Sequence, residues 1–157
     1  PPAKAYHEIG GGVGVIPITL GLMGRPAINI DSSPSRIAHG KNILEALAKD
    51  EPALVNRVQM RCAEAPQIFG ELDTAGAYVI STNIGVERPW EFVESYLKEV
   101  RAKYSAFIFD LCLLWGTYRT LGEWRAHLDR LTTAWGQQPE LLFEKGNYER
   151  YYIVRFA

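Results

Sequence analysis

EIGGGVG, residues 8–14, sets a carboxylate and an isoleucine directly before four glycines in five positions. Glycine at this density costs backbone entropy on folding, and a plain turn needs only one or two. The surplus implies that something approaches the backbone closely. Ala3 to Ile9 reads as a strand. Val15 to Met23 reads as a helix, with Pro17 tolerable in its first turn. A strand, a glycine turn and a helix place bare backbone at the carboxyl edge of a sheet, where open α/β folds bind ligands.

Downstream, the pattern repeats without the glycines. AINID (27–31) is a short buried strand, and GRP (24–26) before it is a stop and turn. Ser33 can cap the next helix with Pro34 at its first position; that helix runs to about Lys49 and buries Ile37, Leu44 and Leu47. RVQMRC (57–62) and AYVIST (77–82) read as strands three and four. Pro89 opens a helix with Trp90, Val93, Leu97 and Val100 on one face. SAFIFDLCLL (105–114) is the most apolar run and reads as a central strand. Leu121, Trp124, Leu128, Leu131 and Trp135 mark a further helix. The chain closes with strands at 140–145 and 149–156 around a Gly146-Asn147 turn, a hairpin signal. The expectation is an α/β fold: five strands linked by helices, then a helix and an antiparallel pair.

Length fits one domain, spanning 1–157. Hydrophobic residues at 47% supply a core, and a net charge of -1 gives no global attraction to nucleic acid or an anionic membrane. No apolar run reaches the roughly 20 residues that span a bilayer. With no leader signal, a cytoplasmic protein is expected. Cys62 and Cys112 lie in strand-like runs and read as buried thiols, with no disulfide framework. His7, His39 and His127 have no ligand spacing, so no metal is expected. A homo-oligomer stays open.

Two cofactor classes use a glycine turn of this kind. The dinucleotide fingerprint needs G-x-G-x-x-G or A, with a pyrophosphate on the helix N-terminus. Counted from Gly10 its sixth position is Val15, and from Gly12 it is Pro17, so both frames fail. The other pattern, acidic-x-G-x-G-x-G, is met in full by Glu8, Gly10, Gly12 and Gly14. An acidic strand end suits a cationic ligand carrying an ammonium and a sulfonium, and repels a pyrophosphate.

On these residues the chain resembles the class I S-adenosylmethionine-dependent methyltransferases. The resemblance implies a Rossmann-like three-layer sandwich with a mostly parallel seven-stranded sheet and an antiparallel C-terminal hairpin. It implies S-adenosyl-L-methionine as cofactor. Asp31, ending the second strand, would accept hydrogen bonds from both ribose hydroxyls, with Ser32 beside it; an N-cap or Asx-turn role ahead of Pro34 can coexist with that. Ala63, Glu64 and Ala65 would cup the adenine, with Glu64 near its exocyclic amine. Ser81, Thr82 and Asn83 would line the methionine end. Trp115, Tyr118 and Trp124 flank the loop where substrates sit in this architecture.

Two features depart from the family. Little chain precedes the first strand, so the domain is either minimal or lacks an N-terminal substrate cap. The N/D-P-P-aromatic motif of amino-methylating nucleic-acid enzymes is replaced by STNI (81–84). The expectation is therefore an enzyme, a transferase that methylates a small-molecule acceptor by direct displacement. The general base stays unknown, with Tyr118, Glu87 and Asp110 as candidates. The alternatives are a catalytically incomplete cofactor-binding core, or transfer of the aminopropyl or aminocarboxypropyl arm. A nicotinamide- or flavin-dependent oxidoreductase is disfavoured by the failed fingerprint.

Overall fold

The computed structural model describes residues 3–82, 90–110, 121–145 and 149–156. Seven strands form one sheet in the order β3-β2-β1-β4-β5-β7-β6. They are β1 (Tyr6–Ile9), β2 (Ala27–Asp31), β3 (Val58–Cys62), β4 (Tyr78–Ser81), β5 (Ala106–Asp110), β6 (Glu140–Lys145) and β7 (Glu149–Arg155). β1 to β5 are mutually parallel, and β7 runs antiparallel between β5 and β6. The helices are α1 (Val15–Leu22), α2 (Pro34–Leu47), the single turn α3 (Leu54–Arg57), α4 (Trp90–Lys103) and α5 (Leu121–Trp135). The α/β sandwich expected from the sequence is the one observed.

Strand alternation sorts the side chains onto two faces. Ile9, Ile30, Val79, Phe107, Phe109, Tyr152 and Val154 share one cluster with Val93, Tyr96, Leu97 and Val100 of α4 and Leu131 and Trp135 of α5. On the other face Val58 of β3 packs with Ile18, Leu44 and Leu54 of α1, α2 and α3. Helices thus cover both faces, as a parallel sheet requires.

The strand order reverses at β1. Its connection leads outward through β2 to β3, and the chain then returns to β4 on the other side. Ligands bind at the carboxyl end of such a switch point. The glycine turn follows β1 at that place.

Four expectations are corrected. The passage from β3 to β4 holds no α-helix but a 3₁₀ turn, Gln67–Glu71, tucking Ile68 and Phe69 into the core. Pro66 and Gly70 disfavour a longer helix there. Leu47 is 37% exposed: it is the last residue of α2, and β3, which α2 packs against, is the edge strand. Cys62 is exposed for the same reason, ending that edge strand. The first strand starts at Tyr6 rather than Ala3. Cys112 and the end of the fifth apolar run lie outside the described residues, as do Trp115 and the side chains of Trp90, Trp124 and His127. Among the described residues no helix is long and apolar enough to cross a membrane.

Candidate functional site

Five parallel strands end at one edge of the sheet. That edge gathers Glu8 and the glycine turn after β1, Asp31 and Ser32 at β2, residues 63–65 after β3, Ser81 and Thr82 at β4, and Asp110 at β5. Residues from five separate stretches of sequence thus share one rim. Asn83, Glu87 and Tyr118 lie outside the described residues.

The turn begins with the Gly10 amide donating to the Ile30 carbonyl at 2.8 Å, which anchors it to β2. Gly10, Gly12 and Gly14 all have positive φ, at 73°, 57° and 82°, a region costly for residues with a β-carbon. Gly11 has another reason to be glycine. A β-carbon there would collide with Asn29 Oδ1 and Glu8 Oε2. The turn therefore lies flat on the Glu8 and Asn29 side chains, with no room for a methyl group between them. Gly14 then starts α1.

Asn29 was not singled out by sequence reasoning, yet it organises this turn. It is fully buried on β2, in register with Glu8 of β1. Its Nδ2 donates to the Gly12 carbonyl at 2.9 Å. The signal was present: an amide inside an apolar strand, two residues before Asp31 and hence on the same face.

Asp31 is 5% exposed and holds two main-chain amides. Gly12 N donates to Oδ2 at 2.9 Å and Ser33 N to Oδ1 at 2.8 Å. Arg36 Nη1 stands 3.8 Å from Oδ2. The Asx-turn and the grip on the glycine turn thus coexist in one carboxylate, and each oxygen retains further acceptor capacity. Ser33 caps α2 by accepting from the Arg36 amide at 3.4 Å, with Pro34 in the first turn.

Glu8 and Asp31 lie on adjacent strands and the same face. Glu8 is 3% exposed. Burial, reinforced by the negative charge of Asp31, pushes its pKa up to about 7. Glu8 Oε2 and Asn29 Oδ1 have no hydrogen-bond partner among the described residues. This rim is electron-rich and favours a positive charge over a phosphate.

The remaining rim residues differ in what they offer. Ser32 and Glu64 are exposed, whereas Ala63, Ala65 and Thr82 are half-buried. The Ala63 amide donates to the Asp31 carbonyl at 3.1 Å, which brings the segment after β3 against β2. Ser81 is fully buried, and its hydroxyl hydrogen-bonds to that of Tyr96 in the core beneath α4. Its side chain is therefore turned away from the Glu8 face, because Ser81 pairs in register with Ile9, one residue off Glu8. Asp110 is buried at the end of β5 and is not free of partners.

No family model matches the chain, and no curated protein sequence is similar to it. Solved structures do match. Magnesium protoporphyrin IX methyltransferase from Synechocystis PCC 6803 with bound SAM is similar over 99% of this chain and 71% of its own, at 16% identity and a TM-score of 0.68. The bifunctional kinase-methyltransferase WbdD is similar over 98% of this chain, at 15% identity and a TM-score of 0.69. This chain spans only 35% of WbdD. TrmK of M. capricolum, in complex with S-adenosyl-homocysteine, is similar over 98% of this chain and 62% of its own, at 13% identity and a TM-score of 0.66. The chain has the class I methyltransferase fold.

Proposed function

We propose that this chain is an S-adenosyl-L-methionine-dependent methyltransferase acting on a small-molecule acceptor. One observation carries the reading: a turn with four glycines in five residues lies beside two buried carboxylates, Glu8 and Asp31, on one face at the sheet's switch point. The residues present fit this cofactor. The unpartnered Glu8 Oε2 marks an acidic end, the bare turn leaves room for a nucleoside, and Asp31 keeps acceptor capacity for two hydroxyls. The fold it shares with proteins crystallised with SAM or S-adenosyl-homocysteine supports the same choice.

When bound, the cofactor supplies a methyl group on a sulfonium, already activated for displacement. The chain's own part is then positioning. Asp31 holds the ribose end, with its carboxylate fixed by the Gly12 and Ser33 amides. Glu8 places negative charge at the amino acid end. Ala63, Glu64 and Ala65 flank the base, with Ser32 beside the ribose. Thr82 lines the methyl end, and Ser81 supports it from the core. Holding acceptor and methyl in line supplies up to about 7–11 kcal/mol in ideal cases.

Calorimetric titration with S-adenosylhomocysteine and with NADH tests the reading. Saturable binding of the thioether alone is expected; binding of NADH alone would replace the proposal with an oxidoreductase. Transfer of labelled methyl to a small-molecule fraction of cell extract tests the acceptor class. Label appearing with the aminopropyl arm, or only in nucleic acid, would overturn that part.

A further inference from the structure

We propose that the Glu8 carboxyl carries a proton in the ligand-free protein, donated to Asn29 Oδ1, and that a cationic ligand bound over the glycine turn expels it to solvent. Asn29 is then the positioning residue of this acid. The second half rests on the cationic cofactor proposed above.

The argument starts from two orphans. Glu8 Oε2 and Asn29 Oδ1 are both buried and unpartnered among the described residues. Both press on one point, the place a Gly11 β-carbon would take. Two bare acceptors converging in a buried space repel, and each buried polar atom left without a partner is destabilising. A single proton on Glu8 satisfies both oxygens.

Rotating the Asn29 amide does not remove the conflict. Its Nδ2 donates to the Gly12 carbonyl at 2.9 Å, so a flip would set Oδ1 against that carbonyl instead. Asn29 therefore presents an acceptor to Glu8 and requires a donor in return. Gly12 is held from both of its peptides: its carbonyl accepts from Asn29, and its N–H, in the preceding peptide, donates to Asp31 Oδ2. Asn29 and Asp31 thus grip the same residue beneath the turn.

The surroundings favour the neutral acid. From β2, Glu8 faces Asn29 and Asp31. From β4 it faces Ile80 in register, with Tyr78 two residues back on the same face. On β1 itself, Tyr6 shares that face. Helix α1, VIPITLGL, has no charged residue, and neither has the turn. Asp110 ends β5, two strands away on the same face. Arg36, a cation near this rim, is directed at Asp31. Burial and the Asp31 charge together raise the Glu8 pKa to about 7.

The balance is simple. Protonated Glu8 and a cation give carboxylate and bound cation, and the proton goes to the buffer. Calorimetry of S-adenosylmethionine at pH 7, in two buffers of different ionisation enthalpy, should show release of about half a proton per site. 5′-Methylthioadenosine, which lacks the charged arm and the sulfonium, should bind without release. Glu8→Gln retains a donor for Asn29 Oδ1 and should abolish the release. Relative to Glu8→Gln, which cancels the ligand's own titration, wild-type affinity should rise about tenfold from pH 6 to pH 8. Asn29→Asp places a second carboxyl beside the first and should move the release midpoint upward.

Tight binding without proton release, or with the pH profile of Glu8→Gln, overturns the proton and leaves the cofactor reading intact. An unmoved midpoint in Asn29→Asp overturns the role of Asn29. Absence of all binding overturns the cofactor reading instead. The proton is then read in the free protein by infrared spectroscopy with ¹³C-labelled glutamate. A neutral carboxyl band at pH 6 in wild type, missing in Glu8→Gln, is expected; its absence from wild type overturns the proposal.

Discussion

Under α4 and α5 the sheet is filled by volume. Phe107, Phe109, Tyr96, Trp135 and Tyr152 meet there ring against ring, with centroids 5.0–6.4 Å apart. Over β1, β2 and β3 the opposite face is assembled by subtraction. Gly11 lets the turn rest on Glu8 and Asn29, and a β-carbon on Gly40 of α2 would stand 2.5 Å from the Val13 carbonyl. The aromatic layer holds bulk in place, and the other layer brings backbone within reach of a ligand. Substitutions should therefore separate stability from binding according to the layer they strike.

The largest effect belongs to the aromatic layer. Phe107→Ala should cost about 3–5 kcal/mol in denaturant unfolding, while S-adenosylhomocysteine affinity per folded molecule stays unchanged. A loss of affinity in the folded fraction would break the division. Asp31→Ala should weaken cofactor binding per folded molecule by about 1.5–3 kcal/mol through lost charged hydrogen bonds, read by calorimetry. Unaltered affinity would remove Asp31 from the ligand.

Gly40→Ala should lower both quantities, because the carbonyl it strikes belongs to the glycine turn. Overpacking of this kind costs about 1–3 kcal/mol. Gly70→Ala serves as its control, since a β-carbon there meets nothing within 4 Å. Tyr104→Phe removes the buried bond between the Tyr104 hydroxyl and His7 Nδ1, 3.0 Å long. Thermal melts should show about 0.5–1.5 kcal/mol lost and no change in binding.

The smallest effect is a cancellation. Burial lowers the His7 pKa to about 4, so its stabilising contribution is present above pH 6.5 and lost as pH falls towards 4. Glu8 is raised, so its contribution is present below pH 4.5 and lost as pH rises through about 7. Between pH 4.5 and 6.5 the two slopes oppose. Wild type should melt at a nearly constant temperature there, as far as these two groups decide it. Glu8→Gln should become more stable with rising pH across that window. A flat profile in the variant would show that His7 takes up no proton on unfolding.

The sequence made some of this plain. The glycine spacing with Glu8 and Asp31, the Ser33-Pro34 helix start and the closing hairpin are local signals, and each was legible as such. The 3₁₀ passage after β3 was not, because sheet connections fix only their two ends. Edge position was hidden too. Val58 and Cys62 alternate alike in the sequence, yet only the sheet order reveals that β3 has a neighbour on one side. Gly11 stands outside the acidic-x-G-x-G-x-G register. Its need for glycine comes from Glu8 together with Asn29, eighteen positions away, and only the parallel pairing of β1 with β2 sets those two side chains side by side beneath it.

That pairing bears on how the protein is made. β1, β2 and β3 are consecutive along the chain and adjacent in the sheet, with α1, α2 and α3 between them. Every hydrogen bond described beneath the glycine turn therefore closes within residues 8–33. A polypeptide emerging from the ribosome holds all these partners before β4 and the aromatic layer have been translated. The N-terminal third is thus equipped to shape its half of the binding rim as a local event, and the slower long-range pairing of β1 with β4 closes the other half later.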